Sequence, residues 1–173
     1  MLGNSERQRR LEKAKRNANY REDVARATEP QIILMKQGFY GAQSRIESGN
    51  FSDSMAEMQP AVVEVGRLSN AARALEDAGF DIAASLTKFD AATPNARDGR
   101  NVFSHFDDYL LGIGKLQTDV GIPVTMFYER NSTSGTAVVM SNPNIRLDVG
   151  EFLKAGNHLA DDLLSVLEFR RER

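Results

Sequence analysis

Apolar residues at three- and four-residue steps constrain this chain more than any other feature. Val62, Val65, Leu68, Ala72 and Leu75 form one stripe. Val149, Phe152, Leu153, Leu159, Ala160, Leu163, Leu164 and Leu167 form a broader one in the last quarter of the chain. That period is the period of an α-helix, and each stripe must be buried against another element. Ile32, Ile33, Met35, Phe39, Tyr40 and Ile46 make a further core helix. It is expected to start at Thr28-Glu29-Pro30, with threonine near the cap and proline in the first turn, and to end at Gly49-Asn50. The next helix is expected from about Gln59-Pro60 to Gly79. Phe51, Met55 and Met58 just ahead of it read as core groups. Asp81 is expected to cap a short helix carrying Ile82, Leu86 and Phe89, closed by Thr93-Pro94-Asn95. A longer one is expected over about Ala96 to Gln117, with Gly112-Ile113-Gly114 inside it as a packing point or kink. Asp148 and Glu151 resemble a capping box at the head of the last helix.

The period changes once. After Gly121-Ile122-Pro123, the runs Val124–Tyr128 and Thr136–Met140 are β-branched and apolar, and they flank a polar loop from Arg130 to Gly135. This is a hairpin pattern. Asn142-Pro143-Asn144 then turns the chain. The expected fold is all-α: a bundle of about five helices with one inserted β-hairpin at about 124–140.

Composition narrows the function classes. A chain of 173 residues that is 41% hydrophobic and 27% charged fits one globular domain. It contains no apolar run near the roughly 18 residues of a membrane helix, and its first residues are basic and polar. No membrane association is expected, and the expected compartment is the cytoplasm. Cysteine is absent, which excludes disulfides, thiol catalysis and thiolate zinc sites, and there are two histidines. His158 with Asp161 and Asp162 at i+3 and i+4 reads as helical ion pairing rather than as a metal site. No metal and no cofactor is expected. Asn131-Ser132-Thr133 reads as a polar loop tip.

Charge is unevenly placed. Residues 1–27 carry eight basic and four acidic groups, a net of +4, so the other 146 residues carry −6 within a total of −2. Residues 1–27 are expected to form a basic, helical arm, and residues 28–173 the bundle. Arg9, Arg10, Lys13 and Arg16 are the arm's candidates for RNA contact. Glu6, Glu12, Glu22 and Asp23 lie at helical spacings among these bases, so a solvated, internally paired helix is the other reading.

One stretch carries chemistry. On a continuous helix, Asn101, His105 and Asp108 at i, i+4 and i+7 share an edge beside the apolar stripe of Val102, Phe106, Tyr109, Ile113 and Leu116, widened by Phe103 and Leu110. Arg100 lies about 140° from His105 around the axis. Arg100-Asn101-Val102-Phe103-Ser104-His105 resembles the R-x4-H motif of HEPN domains, with asparagine directly after the arginine. His105-Phe106-Asp107-Asp108-Tyr109 resembles the continuation found in some bacterial helical proteins of that type. The strict likeness covers those six residues. It implies a small helical homodimer that cleaves RNA without metal, of toxin–antitoxin or phage-defence type, with an antitoxin or other protein as a partner. It also implies that His105 is general acid or base, that Arg100 stabilises charge on the scissile phosphate and that Asn101 orients the histidine or hydrogen-bonds the phosphate, with Asp108 and Tyr109 in support. The chemistry is consistent: a 2′-hydroxyl supplies the nucleophile, imidazole titrates near about pH 6.5, and guanidinium presents paired donors. The other class of reading is a non-catalytic helical dimer, an interaction or regulatory module in which His105 bonds Asp108 or a neighbouring helix and the hairpin edge takes up a partner strand.

Overall fold

The computed structural model describes residues 4–47, 51–131 and 135–171. The described residues form seven helices and one sheet: α1 Asn4–Lys15, α2 Tyr20–Glu47, α3 Phe51–Asp77, α4 Ala83–Ala92, α5 Ala96–Ser104, α6 Phe106–Leu110, β1 Thr125–Asn131, β2 Gly135–Ser141, β3 Ile145–Asp148 and α7 Val149–Arg171. The chain is mostly helical, as its periodicity requires. The long helices α2, α3 and α7 pack on one another, α5 lies on α3, and α4 lies on α7. Ile32 and Phe39 of α2, Val62, Val65 and Leu68 of α3, and Leu153, Leu159, Leu163 and Leu167 of α7 are buried together. Gly156 lets α7 approach closely: a Cβ there would stand 3.0 Å from Val65 and 3.4 Å from Phe39. Lys36 of α2 bonds Asp161 of α7, which gives that carboxylate an ion-pair partner and raises the Lys36 pKa above 10.5.

Several boundaries depart from the sequence reading. Thr28-Glu29-Pro30 does not start a helix; α2 runs through it, and Pro30 lies inside. Burial holds the helix together there, because Ala25 and Ile32 on either side of the proline are fully buried. The Thr28 hydroxyl donates to the Val24 carbonyl at 2.8 Å, a bond between successive turns. The break falls instead at Arg16–Asn19, where Asn17 Oδ1 accepts the Asn19 N–H. The basic arm of residues 1–27 is thus α1 plus the first part of α2. Likewise α3 begins at Phe51, not Pro60. Isolated interior prolines cost about 3 kcal/mol, a sum that a few buried aliphatic side chains offset. The expected stop at Gly49-Asn50 lies outside the described residues. Ile33 and Tyr40 are 42% and 53% exposed rather than core.

Gly79 does stop α3. Its φ of +87° suits a residue without Cβ, and the Phe80 and Gly79 N–H groups donate back to Leu75 and Glu76. Asp81 makes no cap; the residue at the head of α4 is Ile82, and no side chain caps it. Asp148 does cap α7, its Oδ1 accepting the Glu151 N–H at 3.1 Å.

The expected hairpin is two strands of an antiparallel sheet of three, ordered β1-β2-β3, with Phe127 opposite Val139 and Val138 opposite Leu147. Of the polar loop tip, residues 132–134 lie outside the described ones. The sheet joins the bundle through β2 against α7 and β3 against α5. Gly99 of α5 leaves room for the Leu147 side chain, which a Cβ would overlap.

The Lys36–Asp161 pair makes stability pH-dependent. A lysine whose folded pKa is raised stabilises the fold fully below its unfolded value and loses that contribution as pH climbs through the folded one. Wild type is expected to lose more stability than Lys36→Met between about pH 8 and pH 11.5 in urea unfolding; equal losses would contradict the pairing.

Candidate functional site

The expected helix over 96–117 is broken at His105. Its φ and ψ of −127° and 38° end α5 and begin α6. Eight residues of unbroken helix rise about 12 Å, too far for the side chains of Asn101 and Tyr109 to meet. In the bent chain, Asn101 Nδ2 donates to the Tyr109 hydroxyl at 2.8 Å. Tyr109 is 1% exposed. Its hydroxyl also accepts the Leu116 N–H at 3.3 Å, and its carbonyl accepts Gln117 Nε2 and the Val124 N–H at 3.0 Å each. Gly114 lies against the ring; a Cβ there would stand 2.5 Å from Cε1. The shared edge of Asn101, His105 and Asp108 therefore does not exist. Of the apolar stripe, Val102, Phe103 and Tyr109 are buried and Phe106 and Leu116 pack against the core, whereas Leu110 and Ile113 are exposed. Gly112-Ile113-Gly114 lies in a loop, where Gly112 has a φ of +74°.

The candidate residues separate accordingly. Arg100 turns toward α3, and its stem lies over Gly66, where a Cβ would stand 2.8 Å from Cγ. His105 is exposed at the end of α5, and its imidazole makes no hydrogen bond to Asp108 or to any other described residue. Asp108 is exposed on α6. Asn101 and Tyr109 are bonded to each other, which gives both a structural task.

Arg100 faces a cleft of about 1170 Å³ between α1, α3, α4 and α5. Arg10, Leu11 and Ala14 of α1 and Tyr20 of α2 form one side, and Ser69, Asn70 and Arg73 of α3 another. Arg97 and Arg100, one turn apart on α5, line the same space, whereas Asn101 and His105 do not. Its charged lining is Arg10, Arg73, Arg97 and Arg100 against Asp77 and Asp90, 4 − 2 = +2 on a chain of net −2. Arg73 is spent on Asp90, both carboxylate oxygens lying within 2.9 Å. Arg10 shares Glu6 with Arg9 at 2.9 Å. Arg97 and Arg100 have no ion-pair partner among the described residues.

Of the four arm residues expected to meet RNA, Arg10 lines the cleft, while Arg9, Lys13 and Arg16 are exposed outside it. Sequence reasoning missed Arg97 and Gly66. The i, i+3 spacing of Arg97 and Arg100 was a signal for a shared face, and a lone glycine within the α3 stripe was a signal for close packing. His158 is exposed, Asp161 bonds Lys36, and no group of metal-ligating side chains occurs among the described residues. No described helix is long and apolar enough to cross a membrane.

No family model, no curated protein and no solved structure matches this chain.

The Asn101–Tyr109 bond is testable by stability. Tyr109→Phe leaves the Asn101 amide and the Leu116 N–H without their acceptor and is expected to cost about 1–3 kcal/mol. The double variant with Asn101→Ala should cost less than the sum of the singles. Additive losses in urea unfolding would contradict the bond.

Proposed function

We propose that this protein binds RNA, holding its phosphates in the cleft with Arg97 and Arg100 and extending the contact along the basic face of α1. The observation that carries this reading is the convergence of two guanidinium groups without ion-pair partners among the described residues on one cleft of an otherwise acidic chain. Guanidinium presents a planar set of donors that matches phosphate oxygens, and it is weakly hydrated, so its transfer to a phosphate is favourable. Gly66 supports Arg100 from below by letting its stem lie flat on α3. Tyr20 adds an aromatic ring at the cleft's edge. Asn70 and Ser69 add neutral hydrogen-bonding groups suited to sugar hydroxyls. The compartment we assign is the cytoplasm.

Binding is what the geometry supports best. A second reading, metal-independent RNA cleavage of the HEPN type in a toxin or phage-defence setting, is favoured by one observation: the His105 imidazole is exposed and unbonded among the described residues, so both its ring nitrogens are accessible to a ligand. Within one chain His105 does not share the cleft of Arg100, so cleavage requires a homodimer in which His105 of one protomer meets a phosphate held by its partner.

A labelled single-stranded RNA of about 20 nucleotides tests both readings by anisotropy and by gel in EDTA. Arg97→Ala with Arg100→Ala is expected to weaken binding at least tenfold and to lower the dependence of log K on log salt by about 0.7 per arginine. Unchanged affinity and slope would overturn the cleft reading. Cleavage by wild type that His105→Ala abolishes would establish the ribonuclease; intact RNA throughout, with tight binding, would leave a binding protein.

A further inference from the structure

The loop between α6 and β1 holds aliphatic side chains out in water on a tightly bonded frame. Leu111, Ile113, Val120 and Ile122 are 69%, 61%, 80% and 55% exposed. They fall in one patch because the chain doubles back at two glycines. The Gly121 N–H donates to the Gly112 carbonyl at 2.7 Å, and a Cβ on Gly112 would stand 2.7 Å from the Gly121 Cα. Both glycines have left-handed φ, +74° and +84°. Residues 111–113 and 120–122 therefore lie side by side.

Two side-chain amides lock this arrangement. Gln117 Nε2 donates to the Tyr109 and Ile122 carbonyls, and its Oε1 accepts the Gly114 N–H. Asn142, reaching across from the turn after β2, accepts the Thr118 and Asp119 N–H groups at 2.9 and 3.0 Å and donates to the Asp119 and Ile122 carbonyls. A loop with this many fixed bonds does not expose four aliphatic groups through looseness. Contiguous exposed apolar surface on a rigid frame is what a binding surface requires, because its order is established before the partner arrives.

The charges of the same segment identify the partner's chemistry. Within residues 107–122 the charged side chains are Asp107, Asp108 and Asp119, exposed and without an ion pair among the described residues, and the exposed Lys115. The Asp107 and Asp108 carbonyls accept the Leu111 and Ile113 N–H groups, which sets these carboxylates next to the patch. We propose that this loop docks a protein segment that presents an apolar face flanked by lysine or arginine. The apolar face covers the four aliphatic groups, and the flanking cations meet the three carboxylates. The three carboxylates repel nucleic acid, so this surface is separate in chemistry from the arginine-lined cleft and does not depend on what that cleft binds.

The test uses the full chain and two synthetic amphipathic helical peptides of about 14 residues, one of leucine and lysine, the other of leucine and glutamate. The lysine peptide is expected to bind wild type at least tenfold tighter than the glutamate peptide. Ile113→Ser with Val120→Ser should weaken that binding at least tenfold, with far-UV circular dichroism and RNA affinity unchanged. Asp107→Asn with Asp108→Asn should weaken it about threefold and reduce its salt dependence. No binding of the lysine peptide, equal binding of the two peptides, or equal binding to the serine variant would overturn the assignment. Self-association in sedimentation that the serine variant abolishes would also overturn it, giving the patch to a second copy of the chain.

Discussion

The buried ring of Tyr109 is the point on which the local architecture of the candidate sites depends. Its hydroxyl takes the Asn101 amide from α5, and its carbonyl takes Gln117 from the loop and the backbone of Val124 at the entry to β1. Burying an aromatic ring of this size contributes on the order of 2–3 kcal/mol, but the phenol can be buried only with its oxygen satisfied. Asn101 and Leu116 satisfy it. The helix must bend at His105 for Asn101 to reach, and Gly114 must lack a side chain for the loop to pass over the ring. One buried group thereby ends α5, directs the loop and separates Asn101 from the exposed histidine.

The same bend divides the surface by charge. Before it, α5 presents Arg97 and Arg100 to α3 and to the basic helix α1. After it, the chain presents Asp107, Asp108 and the aliphatic loop. In the proposed readings, a polyanion and a cationic protein segment meet different surfaces built from residues adjacent in sequence. Like-charge juxtaposition discourages each from the other's place, which is how charge confers specificity more than affinity.

Much of the fold was legible in periodicity. The stripe from Val62 to Leu75 and the broad face of α7 both proved buried, Gly79 stopped α3, and Asp148 capped α7. Prolines misled because their local cost is small beside burial: Ala25 and Ile32 carry α2 through Pro30. β3 is not evident in the sequence, although Ile145-Arg146-Leu147-Asp148 alternates apolar and polar groups; four residues are too short a run to separate from a turn. The candidate site was legible in residue type and less so in arrangement. Arg100 is a candidate in the sequence and lines the cleft in the structure, but Asn101, His105 and Asp108 share an edge only on a continuous helix. Only the long-range contact with Tyr109, together with the glycine geometry at 112, reveals the break. The i, i+3 spacing of Arg97 and Arg100 is local, whereas Arg10 joins them through tertiary packing that no local pattern encodes.

A ¹⁵N-detected titration of the arginine side chains with a short single-stranded RNA bears most directly on the central claim. The Nε–H signals of Arg97 and Arg100 are expected to shift and broaden together, with Arg10 following, at RNA concentrations that leave the backbone amides of residues 111–122 unmoved. Shifts confined to other arginines, or to the loop after α6, would contradict it.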